Sequence, residues 1–175
     1  MELVIQKYTN LPHIDHVGYW QFVTIRTQDS IDEAFLSIAD EDISKEQFKK
    51  DEYADLSPKG NYLSGEILQY LYEFLLSLDS ILYELACFCI MPNHLHILFR
   101  QKESLALIIK KLKGISAKAI NKQLGFRGKF WEKGYYDKAI RNQKHFKLTY
   151  RYIAHNALKL KPKNEERFYG KYDLL

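Results

Sequence analysis

Two histidines, His94 and His96, stand one residue apart in a segment rich in strand-forming residues, HLHILFR at 94–100. On a β-strand, residues i and i+2 point to the same face, so both imidazoles can reach one metal ion while Leu95 and Ile97 pack on the other face. Neutral imidazole is the commonest metal ligand in proteins. The spacing alone fits a metal site and, equally, two ordinary residues on a half-exposed strand.

A second pair, Tyr152 and Asn156, has the i,i+4 spacing that places both side chains on one face of a helix. Tyr150 points elsewhere, about 200° around the helix axis from Tyr152. A phenol is a weak nucleophile at neutral pH, but a cation near a phosphate lowers the barrier to attack by drawing charge from the phosphoryl oxygens. Tyr152 is therefore a candidate nucleophile and the Asn156 amide a candidate third ligand, although most of the 13 tyrosines are expected to be packing or surface residues.

The net charge of +4 conceals two halves of opposite sign. Residues 1–99 carry 6 Lys/Arg against 16 Asp/Glu, a balance of −10, whereas residues 100–175 carry 20 against 6, a balance of +14. A basic half with interleaved aromatic residues indicates a nucleic-acid partner with unpaired bases, more than a solvated lysine-rich helix face. Candidate nucleic-acid contacts are Arg100, Lys110, Lys113, Lys118, Arg127, Lys129, Trp131, Tyr135, Tyr136 and Arg151, and the aromatic members fit core packing equally well.

The chain length of 175 residues fits one domain with a real core, so we expect residues 1–175 to form a single domain. There is no run of about 18 apolar residues that would indicate a membrane span, and the N-terminus lacks a secretory pattern. Cys87 and Cys89 are the only cysteines; they are expected to be reduced core residues, with a share in the metal site as the alternative. These features predict a cytoplasmic protein, associated with the nucleoid if it binds DNA.

Hydrophobic periodicity predicts the elements that position these residues. The chain begins with a strand near 19–27, an acidic insertion at about 28–61 with one or two short helices, and a helix capped by Ser64. Strands at 81–90 and 94–100 follow, and then a helix from Ser104 to Gly125. The last elements are a strand or extended segment at 130–140, a helix from about 143 to 158, and a basic tail at 159–175. Without the insertion, this is the ferredoxin-like split βαβ order followed by one added helix. We therefore expect an α+β fold: an antiparallel sheet of four or more strands, helices on one face, and a C-terminal helix that carries the tyrosine.

Three segments resemble single-tyrosine transposases of the HUH type, most closely the REP-associated tyrosine transposases. The segment MPNHLHIL at 91–98 resembles their His-hydrophobe-His motif, FWEKGYYDKAIRN at 130–142 resembles the segment before their catalytic helix, and YIAHN at 152–156 resembles that helix. The resemblance covers about residues 17–160, and the order and spacing of the three motifs make it specific.

The resemblance implies a transposase that breaks one DNA strand through a 5′-phosphotyrosine intermediate and rejoins it without a nucleotide cofactor. By position Tyr152 would be the nucleophile, and His94, His96 and Asn156 would hold a Mg²⁺ or Mn²⁺ ion. The same ligands would also accept Zn²⁺ or Ni²⁺, so they do not identify the metal. The implied substrate is single-stranded DNA beside a hairpin, and both a monomer and a homodimer are compatible with the family.

Two features depart from the family pattern: Ala157 stands where the REP-associated branch usually has proline, and the acidic insertion is longer than expected. The insertion should repel a DNA backbone. Two other functions compete with the transposase: a noncatalytic single-stranded-DNA-binding regulator of the same fold, and a metal-dependent phosphodiesterase in which water attacks.

Overall fold

Five antiparallel strands form one sheet in this structure, a computed structural model that describes residues 14–29, 43–57, 59–160 and 165–175. The strand order is β4-β1-β3-β2-β5, and every neighbouring pair is antiparallel. The bounds are β1 Trp20–Arg26, β2 Tyr83–Ile90, β3 His94–Gln101, β4 Tyr136–Ala139 and β5 Phe168–Gly170. The first four strands have the order of the ferredoxin-like split βαβ fold, which confirms the predicted fold class.

The face of the sheet that carries Val23, Ile25 and Ile97 is covered by two helices, α2 (Gly65–Ser77) and α3 (Leu105–Leu124). Helix α3 begins and ends as predicted. Ser104 accepts a hydrogen bond from the backbone N–H of Leu107, and Gly125 ends the helix in the left-handed region with φ 69°, where a residue without Cβ is unstrained.

Helix α2 begins differently from the prediction. Ser64 occupies the position before the helix, but its side chain makes no capping hydrogen bond. The backbone N–H of Gly65 instead donates to Glu165 Oε1 at 3.1 Å, so a residue from the end of the chain satisfies this helix terminus.

The opposite face of the sheet is covered by helix α4 (Gln143–Asn156). Phe146, Tyr150 and Ile153 of α4 are buried against residues of β1, β2 and β3, including Trp20 and Leu98. Leu98 follows His96 by two residues, so the predicted tyrosine helix lies on the histidine face of the sheet. The helix ends at Asn156 and continues as a short 3-10 turn, Ala157–Lys159, close to the predicted end at 158.

The last strand, β5, lies inside the segment predicted to be only a basic tail. It pairs with β2 opposite Cys87, Phe88 and Cys89, and the Tyr169 ring stacks on Phe88 with centroids 5.5 Å apart. Both cysteines are buried free thiols, as expected.

The described part of the acidic insertion is mainly one helix, α1 (Ile43–Leu56). Its C-terminal half is attached to the sheet by Asn93, whose Nδ2 donates to the carbonyl of Ala54 at 2.8 Å. The second predicted helix of the insertion would lie in residues 30–42, outside the described residues. No helix in the described part of the chain is both long and apolar enough to span a membrane.

Candidate active site

The two histidines of β3 are fully buried and held on their Nδ1 side. His94 Nδ1 lies 2.7 Å from Asn93 Oδ1, and His96 Nδ1 lies 2.8 Å from Thr24 Oγ1 of the neighbouring strand. Because Asn93 uses its Nδ2 to donate to two backbone carbonyls, its Oδ1 must accept from His94. His94 therefore carries its proton on Nδ1 and presents the bare Nε2 lone pair to the interior.

The Nε2 atoms of both histidines are buried without a hydrogen-bond partner. Such atoms are rare in folded proteins and are available to bind a water molecule or a metal ion. Each faces a carboxylate of α1: His94 Nε2 lies 3.7 Å from Asp55 Oδ1, and His96 Nε2 lies 3.9 Å from Asp51 Oδ2.

Burial keeps these imidazoles neutral. It is the main cause that lowers the pKa of His94 well below its ordinary value and the pKa of His96 to about 4. One potential ligand atom from each of Asp51, His94 and His96 lies within 4.8 Å of the others. This buried group could bind a divalent metal, since neutral imidazole and carboxylate are metal ligands without further rearrangement of protons.

Tyr152 of α4 points into this cluster. Its hydroxyl donates to Asp51 Oδ2 at 2.6 Å, and its ring centroid lies 5.5 Å from that of His96. Burial first, and then the charge of Asp51, raises the pKa of Tyr152, so the phenol is protonated at neutral pH. Tyr150 lies elsewhere, as the helical spacing predicted: its hydroxyl donates to the carbonyl of Tyr172 at 2.7 Å.

Asn156 is buried one turn beyond Tyr152, with its amide engaged by neighbours. Its Nδ2 donates to the carbonyl of Tyr152 at 2.9 Å, and its Oδ1 accepts from Lys159 Nζ at 2.9 Å. Lys159 also contacts Asp55 Oδ2 at 2.7 Å. A role for Asn156 as third ligand stays a prediction.

Sequence reasoning missed four charged residues of this cluster: Arg26, Asp51, Asp55 and Lys159. Arg26 Nη2 donates to Asp51 Oδ1 at 2.6 Å, and both side chains are almost fully buried. Arg26 follows Thr24 by two residues on β1, and the two lie opposite His94 and His96. In the sequence, only the strand position of Arg26 and the i,i+4 spacing of Asp51 and Asp55 could have indicated these residues. No sequence pattern indicated that α1 packs beside the histidines.

The family model for IS200-like transposases matches residues 58–156, more than half of the chain, including both histidines and Tyr152. This chain belongs to the IS200-like transposase family. The resemblance seen in the three sequence motifs is thereby confirmed.

The chain is also similar to solved structures. The chain is similar to a REP-associated tyrosine transposase bound to a REP hairpin, with a TM-score of 0.54 and 14% identity over 87% of this chain and 74% of that chain. It is also similar to a putative transposase from Deinococcus radiodurans, with a TM-score of 0.46 and 16% identity over 86% and 97%. No curated protein matches the chain.

The basic candidates for DNA contacts in this transposase fall into two groups. One group is exposed to solvent: Lys110, Lys118, Arg127 and Lys129. In the other group the side chains have protein partners. Lys113 Nζ donates to the carbonyls of Glu132, Lys133 and Gly134, Arg100 Nε donates to the carbonyl of Gly18, and Arg151 Nε donates to the carbonyl of Leu174. The first group is better suited to bind phosphates.

The three aromatic candidates also differ in exposure. Trp131 is 4% exposed and its Nε1 donates to Ser116 Oγ at 2.9 Å, which favours core packing over stacking on a base. Tyr136 is half-buried, with its ring 5.9 Å from Phe22. Tyr135 is 36% exposed and remains the candidate for base stacking.

Proposed function

We propose that this chain is a metal-dependent DNA transposase that nicks and rejoins single-stranded DNA beside a hairpin, with Tyr152 as the nucleophile. The observation that carries the proposal is the position of the Tyr152 hydroxyl, hydrogen-bonded to Asp51 in the same buried cluster as His94 and His96. The two histidines would hold the cation, and a phenol in that position would lie beside a phosphate bound next to them.

In the proposed nicking step, Tyr152 Oη bonds to the phosphorus and the bond from phosphorus to the 3′ oxygen breaks. The electron pair of that bond stays on the 3′ oxygen, which takes a proton from water, and the phenol proton passes to the Asp51 carboxylate that already accepts it. Rejoining is the reverse: a 3′-hydroxyl attacks the phosphotyrosine, and the phenol oxygen leaves and recovers its proton.

The residues present fit a resident divalent cation, because two buried Nε2 atoms have no partner and face carboxylates. We propose Mg²⁺ or Mn²⁺, held by His94 and His96 with a third protein oxygen, for which Asn156 is the position implied by the family resemblance. When bound, the cation would draw negative charge from the phosphoryl oxygens. Asp51 and Asn156 would hold the Tyr152 helix turn against it.

The proposed substrate rests on two supports. A structure with the same fold holds a REP hairpin, and exposed lysines and arginines of this chain, such as Lys110 and Lys118, can bind a DNA backbone. Phosphate contacts of this kind position DNA without reading its sequence.

The test mixes the full chain with labelled single-stranded hairpin DNA and Mn²⁺, then separates the products under denaturing conditions. We expect a covalent protein–DNA adduct that is absent in Tyr152→Phe. Tyr150→Phe, a matched change on the same helix, should retain it. Free cleaved ends without an adduct would instead identify a phosphodiesterase that uses water, and a shift seen only in native gels would identify a noncatalytic DNA-binding regulator.

A further inference from the structure

We propose that Asp55, from the acidic insertion, is a protein ligand of the cation bound by His94 and His96. This inference rests on the metal site of the proposed function. It assigns to α1 a place in the metal centre that neither the family motifs nor the spacing of the histidines predicted.

The first support is the set of buried polar atoms without a hydrogen-bond partner. Among the described residues, three of these atoms lie in the active-site cluster on potential ligands: His94 Nε2, His96 Nε2 and Asp55 Oδ1. Asp55 Oδ1 lies 3.7 Å from His94 Nε2. A water molecule can donate to at most two of these acceptors, whereas a dication can bind two imidazoles and a carboxylate together.

The second support is the orientation of the carboxylate. Lys159 Nζ holds the outer oxygen of Asp55, Oδ2, at 2.7 Å, which turns the inner oxygen toward the histidine. Metal ligands are commonly oriented in this way by a second hydrogen-bonding partner. The histidines are oriented in the same sense, by Asn93 and Thr24 on their Nδ1 atoms.

The two aspartates of α1 have different partners. Asp51 is the carboxylate with an oxygen within 4.8 Å of a ligand nitrogen of each histidine, but both of its oxygens already accept hydrogen bonds, one from Arg26 and one from Tyr152. Asp55 has one oxygen without such a bond. We therefore assign Asp51 to the orientation of the nucleophile and Asp55 to the cation. The Asn156 oxygen already accepts from Lys159, so it is a weaker candidate than Asp55 for the same position.

A carboxylate ligand also changes which metal ions the site prefers. Two imidazoles and an amide favour borderline metals such as Zn²⁺, whereas an added carboxylate improves the match to Mg²⁺ and Mn²⁺.

The experiment measures Mn²⁺ binding to the full chain without DNA, by electron paramagnetic resonance of free Mn²⁺ and by calorimetry. Asp55→Asn should weaken binding by about tenfold or more, the scale on which loss of metal-site partners acts. Glu52→Gln, an exposed charge on the same helix, should stay within about twofold of the unaltered chain at moderate salt. Equal effects of these two variants would overturn the proposal.

Three further variants keep the result unambiguous. Lys159→Gln removes the partner of Asp55 but leaves the carboxylate, so Mn²⁺ binding should survive. If it falls as far as in Asp55→Asn, Asp55 acts only through its ion pair and the proposal is wrong. A larger loss in Asp51→Asn or Asn156→Ala than in Asp55→Asn would assign the oxygen ligand to one of those residues and also overturn it. Because no DNA is present, these outcomes are independent of whether a covalent adduct forms.

Discussion

The attachment of α1 to the active site can be tested through Asn93, which makes contacts in two directions. Its Oδ1 accepts from His94 Nδ1, and its Nδ2 donates to the carbonyl of Ala54 at 2.8 Å and to that of Lys59 at 3.3 Å. Asn93→Asp keeps the first contact and the shape of the side chain but removes both donors. We therefore expect it to loosen α1 while leaving His94 oriented.

The magnitude follows from the two lost hydrogen bonds. Each contributes about 1 kcal/mol net, so the variant should lose about 2 kcal/mol, with a further cost because a buried carboxylate oxygen would face two carbonyl oxygens. Asn93 is 1% exposed, so water cannot replace the lost donors. A loss of 2 kcal/mol corresponds to an about 30-fold larger open population of α1, and therefore to about 30-fold faster exchange of its backbone amides.

Hydrogen exchange followed by mass spectrometry measures this effect peptide by peptide. Exchange should accelerate in peptides covering 43–57 and stay unchanged in those covering α3, since α3 lies on the other face of the sheet. Asn142→Asp is the matched control. Asn142 caps α4 with its Oδ1 alone, and Asp is an equally good cap, so that variant should show almost no effect. Unchanged exchange in α1 in Asn93→Asp would refute the inference that Asn93 holds the insertion in place.

Three other predictions address the buried core, pH and DNA. Trp131→Phe should cost about 1 kcal/mol in urea denaturation through the lost hydrogen bond to Ser116, with unchanged DNA affinity by fluorescence anisotropy. Burial lowers the pKa of His94 and His96, so the folded state resists their protonation. Their contribution to the free energy of unfolding is therefore fully present above about pH 6.5 and is lost as pH falls toward about 4, where His96 is protonated in the folded state. Urea titrations of the metal-free chain should therefore show the free energy of unfolding falling by up to about 1.4 kcal/mol per pH unit for each histidine, with a flatter profile in the double His→Gln variant. Lys118→Gln should reduce the slope of log affinity against log salt by about one if Lys118 contacts a phosphate, and an unchanged slope would remove it from the DNA surface.

The parts of the site that the sequence could predict depend on local geometry. Alternation along one strand placed His94 and His96 on one face, and helical spacing placed Tyr152 and Asn156 on another single face. Both patterns hold in the structure because neither depends on contacts distant in sequence.

The parts that could not be predicted depend on tertiary contacts. Asp51 and Asp55 reach the histidines through contacts of the insertion that are distant in sequence. Among them are the hydrogen bonds from Asn93 to the carbonyl of Ala54 and from the Thr27 hydroxyl to the carbonyl of Gly60. Trp131 is of a residue type that often stacks on bases, and only its burial and its hydrogen bond to Ser116 show that it packs in the core instead. Likewise, β5 is a three-residue strand whose pairing with β2 leaves no periodic signal.

The charges of the site explain how an acidic insertion can stand in an enzyme that acts on DNA. With both carboxylates ionised, Asp51 and Asp55 balance Arg26 and Lys159, and the buried histidines are neutral. The cluster alone is therefore close to neutral and attracts a phosphodiester only weakly.

A bound dication would change this balance to a net charge of +2 in a buried environment, where electrostatic attraction to a phosphate is stronger than in water. The insertion would thus make tight binding of the scissile phosphate depend on the metal.

Thermodynamic linkage requires the reverse effect with the same factor: hairpin DNA should tighten Mn²⁺ binding as much as Mn²⁺ tightens DNA binding. Asp55→Asn leaves the metal-free site with an excess positive charge, so it should strengthen metal-independent DNA binding while it weakens the coupling. If the coupling measured by titrating each ligand in the presence of the other is the same in Asp55→Asn and in the unaltered chain, the carboxylate does not set this dependence.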